Sequence, residues 1–166
     1  MVTEVVIVKK NKTGFTLVEM VVVIAIIGVI SALIVPTMMN YIKKGKLKKA
    51  NINAKVLFNQ MNTAVTDMLN NGQQNQINSC TQPVNCAQDD PSDVLRHTIY
   101  CAMKGNGSSV GYAFWKTGIN DSTEIKFVQW CENENPSAND IIGQYPSPAN
   151  SIDELPAGTF QWGTLF

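Results

Sequence analysis

The sequence predicts an α+β protein: a long N-terminal helix, membrane-spanning in its first half, packed through its second half on a small antiparallel β-sheet. Three observations carry this reading. Residues 15–35 are predominantly apolar and contain a single charge, Glu19. Beyond Pro36, apolar residues recur at three- and four-residue steps as far as Leu69. From Ser109 onward the pattern changes to the two-residue alternation of strands, rich in aromatic and β-branched side chains.

The first element is the run Phe15–Val35, preceded by Lys9, Lys10 and Lys12. At about 1.5 Å per helical residue it reaches roughly 31 Å, enough to cross the hydrocarbon core of a bilayer. A secretory signal has an apolar region of roughly 7–15 residues and a small-residue cleavage site behind it. This run is longer, and Pro36-Thr37-Met38-Met39 follows it. A plain single-pass anchor accounts for the length but not for Glu19. A carboxylate at the bilayer centre costs about 2.5–3.5 kcal/mol on insertion scales, so a partner for the charge is expected. Pro36 removes a backbone donor and predicts a kink.

Gly14, Phe15, Thr16, Leu17, Glu19, Gly28 and Pro36, behind a short basic leader, resemble the class III signal of type IV pilins and of the pseudopilins of type II secretion. The resemblance covers residues 9 to 45. It implies cleavage between Gly14 and Phe15 by a membrane aspartyl prepilin peptidase, then N-methylation of the new Phe15 amine. Glycine at the cut fits, because a backbone without a side chain approaches a narrow site closely. The resemblance further implies that Glu19 pairs with the terminal amine of a neighbouring subunit during assembly. Joining a buried carboxylate to a buried ammonium offsets much of the desolvation of each. A pair within one chain, on one helical turn, is equally possible geometrically. Gly28 has two readings: a point where the helix up to Pro36 loosens in a filament, or the ordinary frequency of glycine in membrane helices.

The implied function is that of a structural subunit of a type IV pilus or related filament, with no enzymatic activity. The alternatives are a minor pilin or pseudopilin acting in adhesion, DNA uptake or secretion, and an uncleaved single-pass anchored binding protein. The implied partners are prepilin peptidase, other pilin subunits, an assembly platform and membrane lipid; a surface ligand or DNA is a further candidate. The implied location is the bacterial cytoplasmic membrane with the C-terminal domain outside, then a surface or envelope filament. The expected organisation is a leader over 1–14, an assembly helix over 15–35, its amphipathic continuation over 36–70 and a head over 71–166.

Within the continuation, Ala54, Leu57, Phe58, Met61, Ala64, Val65, Met68 and Leu69 make one apolar face. Asn51, Asn53, Asn59, Gln60, Asn62 and Asp67 are expected mostly on the other side. Asn70-Asn71-Gly72 is a helix stop. Gly72–Pro91 is a polar loop. Pro91-Ser92-Asp93 starts a short helix to Ala102 with Ser92 as its cap, although a strand over Val94–Cys101 fits nearly as well. A hairpin follows, with Val110–Trp115 and Ile125–Trp130 as strands and Gly118–Ser122 as the turn. A last strand is expected over Thr159–Phe166, joined by Ile141–Tyr145.

Charge is unevenly placed along a chain that is formally neutral, with 13 basic and 13 acidic residues. Residues 71–166 hold four basic and ten acidic side chains, a net of −6. This acidic head argues against general nucleic-acid affinity. Lys43, Lys44, Lys46, Lys48, Lys49 and Lys55 lie between run and head. By the positive-inside count they would hold the head inside the cell. The cleavage motif and the cysteines point outward. The lysines read as a solvated helix face, or as contacts to lipid head groups, acidic neighbours or DNA.

Cys80, Cys86, Cys101 and Cys131 form an even set beyond the apolar run, which suggests disulfides in an oxidising compartment. Of the three possible pairings, Cys80–Cys86 would close a short loop and Cys101–Cys131 would tie the start of the head to its sheet. A four-thiolate zinc site lacks its usual C-x₂-C knuckles, so no metal is expected. No phosphate loop or nucleophile motif appears, and no cofactor is expected. His97 is the sole histidine and takes no catalytic role. Asp89, Asp90 and Asp93 lack the ligand spacing of a calcium loop. Tyr112, Phe114, Trp115 and Trp130 would make a ligand platform only if several faced outward; hairpin spacing packs alternate ones on the helix.

Overall fold

The computed structural model describes residues 14–107, 110–118 and 124–166. Residues 1–13 of the expected leader, and residues 119–122 of the expected turn, lie outside the described residues. The chain divides into two units, Met1–Asn40 and Tyr41–Phe166. Helix α1 is Leu17–Asn70 and helix α2 is Val94–Gly105. Strands β1 (Val84–Asn85), β2 (Tyr112–Thr117), β3 (Ile125–Cys131) and β4 (Ile142–Tyr145) form one antiparallel sheet in the order β1-β2-β3-β4. A long N-terminal helix with a four-stranded antiparallel sheet is the α+β, pilin-like arrangement that the sequence predicts.

In the second unit, α1 buries Leu47, Ala50, Ala54, Leu57, Met61, Val65 and Met68, a stripe at three- and four-residue steps. Phe58, Ala64 and Leu69 flank the stripe, partly buried. The helix stops at the expected place. Gly72 adopts φ +73°, its N–H donates to Leu69 O, and the Gln73 N–H donates to Met68 O. That crossed pair of bonds is a Schellman cap, which needs a left-handed residue and so favours glycine.

Asn51 and Asn53 depart from the expectation of a solvent face. The Asn51 side chain donates to Ala149 O at 2.9 Å and accepts the Gln144 N–H at 3.3 Å. Asn53 is buried. The Asn51 amide thus satisfies backbone groups where α1 crosses β4, while Asn53 Oδ1 accepts from the Asn106 side chain at 3.5 Å. The crossing is very close: a Cβ built on Gly143 would lie 2.0 Å from Ala50 O.

Helix α2 forms where helix and strand competed. Leu95, Ile99 and Met103 are buried at four-residue steps, which fit one face of a helix or of a strand alike, and the capped first turn favours the helix. Its cap is Asp93 rather than Ser92. The Asp93 carboxylate accepts from Leu95 N at 2.9 Å and Arg96 N at 3.1 Å, while Ser92 bonds Asp90.

The hairpin forms in register, with Ala113 opposite Trp130 and Trp115 opposite Val128. The sheet is covered on both faces, so β3 is buried at six of its seven positions and does not alternate. One face carries Ala113, Trp115, Val128 and Trp130 into the core that holds α1 and α2. On the other, Cys131 and Ile142 meet Phe160, with Trp162 and Phe166 beside them.

Thr159–Phe166 is not a strand. It takes its bonds from two buried glutamines instead. Gln129 Nε2 donates to Thr164 O at 2.7 Å and to Gln144 Oε1 at 2.9 Å, and Gln129 Oε1 accepts the Gly163 N–H at 3.0 Å. Side-chain amides thus replace the ladder, and every polar atom of Gln129 is satisfied.

Candidate functional site

Gly14 through Lys46 are exposed throughout. Fifteen large apolar side chains between Phe15 and Val35 are solvent-facing, and the most apolar window of α1 has mean hydropathy 2.9 with none of it buried. Burying such side chains is worth about 1.5–3 kcal/mol each, on the order of 20–40 kcal/mol for the set. No marginally stable chain leaves that much in water. The helix is long and apolar enough to cross a membrane.

Its start is built around Glu19. Glu19 Oε2 accepts from both the N–H and the hydroxyl of Thr16, each at 2.7 Å. Thr16 Oγ1 in turn accepts the Glu19 N–H at 3.3 Å. This is a reciprocal capping box, T-x-x-E, at the first turn of α1. Orphan donors of the helix end are satisfied, and negative charge lies at the positive end of the helix dipole. The sequence carries its signal in the Thr16-to-Glu19 spacing, which the reading of Glu19 as an assembly charge passed over. The box involves no atom of Phe15, so cleavage before Phe15 would leave it intact.

Helix α1 is unbroken across Gly28 and Pro36. The Thr37 hydroxyl donates to Ile34 O at 2.8 Å and Leu33 O at 3.3 Å, supplying bonds beside the missing Pro36 donor. A Cβ at Gly28 would meet nothing within 4 Å, so no contact within this chain requires glycine there.

The four cysteines are free. Neither expected pairing is formed, and strand geometry explains why. Cys80 N bonds Trp115 O and Cys86 N bonds Gly111 O, four residues apart on the same edge. That separation is about 13 Å at 3.3 Å per strand residue, whereas a disulfide needs Cα atoms about 4.4–6.8 Å apart. Cys131 faces the Phe160 side of the sheet, away from its neighbour Trp130 and the helices, while Cys101 is exposed on α2. Burial pushes the Cys80 and Cys131 thiols up, and pushes Cys86 up to about 12.

The remaining candidates resolve as structure. Phe114, Trp115 and Trp130 are buried, and Phe114 stacks on Trp162 with centroids 6.1 Å apart, so they form no outward platform. Lys49 and Lys55 lie over the Trp130 and Tyr145 rings at 5.7 and 5.5 Å, while Lys43, Lys44, Lys46 and Lys48 stay exposed. Asp90 bonds Ser92 and Arg96, and Asp93 caps α2. Among the described residues no cluster of metal-ligating side chains occurs. His97 is the residue whose surroundings the sequence did not foretell. Its ring bridges Asp89 and Cys101.

Residues 9–35 match the family model of the prokaryotic N-terminal methylation motif. This motif, the class III prepilin signal, is typical of type IV pilins and pseudopilins, and it implies processing by prepilin peptidase and assembly with pilin subunits. Such families are structural and non-enzymatic, and the helix and motif together are consistent with a membrane-anchored prepilin assembled into a surface filament. No curated protein and no solved structure matches the chain.

Proposed function

We propose that this chain is a filament subunit, cut between Gly14 and Phe15, methylated on the Phe15 amine and polymerised through residues 15–35. The observation that carries the proposal is the coincidence of the motif over residues 9–35 with an apolar stretch of α1 that is exposed throughout. A bilayer covers that surface before assembly, and neighbouring helices cover it afterwards. Residues 36–70 continue the helix to the head at 71–166. Glu19 supplies the register charge for the neighbour's Phe15 amine. Gly28 and Pro36 mark the stretch of α1 that loosens as subunits pack. The exposed Lys43, Lys44, Lys46 and Lys48 sit at the membrane boundary, where lipid phosphates or acidic heads of neighbours meet them.

The direct test is incubation of the membrane-inserted full chain with prepilin peptidase, followed by N-terminal sequencing. The mature chain is expected to begin at Phe15 and to lose residues 1–14. A chain that stays uncut, or begins elsewhere, would sink the proposal.

A further inference from the structure

Helix α2 places His97 and Cys101 one turn apart on the same face. Cys101 Sγ lies 3.5 Å from His97 Nε2, and His97 Nδ1 lies 2.7 Å from Asp89 Oδ1. With the carboxylate accepting from Nδ1–H, Nε2 presents its lone pair to the thiol S–H. Thiol, imidazole and carboxylate thus stand in the nucleophile, base and orienter arrangement. The Cys101 residue is exposed, and the His97 and Asp89 side chains are 48% and 35% exposed. The other three thiols are buried and pushed toward their protonated forms. A groove of about 570 Å³ between α1 and α2 opens beside Cys101, with Gln60, Thr63, Asp67 and Asn106 among its lining. Val56, Ala64 and Ala102 share that lining, so the groove offers polar and apolar contacts together.

We propose that Cys101 is a nucleophilic thiol that exchanges with low-molecular-weight polar disulfides, with His97 as its proton acceptor and Asp89 as the residue that positions the imidazole. The S–H proton passes to His97 Nε2 as the sulfur attacks one sulfur of the disulfide. A new Sγ–S bond forms while the original S–S bond breaks. An alkyl thiolate departs with the proton from His97, whereas a weakly basic aromatic thiolate departs as the anion and His97 returns its proton to water. Cys101 is oxidised to a mixed disulfide and one half of the reagent is reduced to a free thiol. Exchange between sulfurs needs no oxyanion hole, only in-line approach, and an open site permits that. The charged and titratable groups around the thiol are Asp89 and His97 themselves, Asp67 from α1, and Lys104, whose amino group bonds Tyr100 at 3.2 Å. Arg96 is turned to Asp90 and Asp93.

The test uses the full chain in detergent micelles, with 5,5′-dithiobis(2-nitrobenzoate) and then cystine as probes and peptide mass analysis to locate the label. Cys101 is expected to react first, and Cys101→Ser to remove the fast phase. His97→Gln should slow the reaction about tenfold at pH 7, since an unassisted thiol is only a few per cent thiolate there. Its rate should then climb about tenfold per pH unit between pH 6 and 8, while the wild type rises less steeply. Asp89→Asn should fall between the two, and added imidazole should restore rate to His97→Ala. Equal rates and parallel pH profiles in wild type and His97→Gln would overturn the proposal. So would a fast thiol other than Cys101, or a loss in His97→Ala that imidazole does not relieve.

Discussion

Alanine at Gly143 is expected to destabilise the head strongly. A Cβ there would sit 2.0 Å from Ala50 O, 2.1 Å from Ala50 C and 2.6 Å from Asn51 N, all backbone atoms of α1. No side chain can swing away to make room. On one side β4 is pinned by pairing of Gly143 with Trp130 and of Ile142 with Cys131. On the other, α1 is pinned by its buried stripe and by Asn51, which bonds the neighbouring Gln144 N–H. Overpacking a core costs about 1–3 kcal/mol, and a clash between two fixed backbones belongs at or above the top of that range. A loss of about 3 kcal/mol lowers the melting temperature of a domain this size by roughly 10 °C. Thermal unfolding of the full chain, followed by tryptophan fluorescence, measures it. Gly105→Ala is the control: its Cβ meets nothing within 4 Å at the end of α2, and it should be neutral or slightly stabilising. A Gly143→Ala protein that melts with the wild type would show that α1 and β4 are not in contact.

Glu19→Ala is expected to insert into membranes at least as well as the wild type and to fail in assembly. Insertion improves because a carboxylate leaves the apolar run. On the proposed pairing, assembly fails because the neighbour's amine loses its partner; breaking one side of a buried pair costs about 3–5 kcal/mol, a fall of more than about a hundredfold in incorporation. The capping box complicates this reading, since the same substitution also removes the bonds to Thr16. Two further variants separate the effects. Thr16→Ala keeps the charge and loses the cap hydroxyl, at about 1 kcal/mol. Glu19→Gln keeps an oxygen for the Thr16 N–H and loses the charge. Charge pairing requires Glu19→Gln to fail like Glu19→Ala while Thr16→Ala still assembles. The reverse pattern, read from subunit sheared into the filament fraction, would assign Glu19 to helix initiation alone.

The long helix and the hairpin were legible because each repeats a local pattern over many residues. The stripe from Ala54 to Leu69 and the alternation from Tyr112 to Trp130 needed no knowledge of what they pack against. The Gly72 stop was legible because left-handed backbone favours glycine wherever it occurs. Strand β1 was not, since two residues, Val84 and Asn85, carry no period; they are a strand only because β2 offers its edge. Phe160, Trp162 and Phe166 fit a strand pattern equally well. The buried glutamines of β3 and β4 offered their amides to that segment in place of a ladder.

By itself the sequence determined what depends on neighbours in the chain: an apolar helix, its N-terminal methylation motif, its acidic residue, and the periods of the head. Hydrophobicity, helix capping and a short N-terminal motif are set by nearby residues, so they can be read in line. Only the tertiary structure decided which distant groups meet. An even set of cysteines suggested disulfides, yet Cys80 bonds Trp115 of β2 and Cys86 bonds Gly111 just before that strand, and Cys101 and Cys131 face different surroundings. A lone histidine suggested nothing, yet the fold sets His97 between Asp89 and Cys101. Gly143 looked like any strand glycine until α1 was laid against it. Contacts of this kind are set by packing geometry to within an ångström, and no local spacing encodes them.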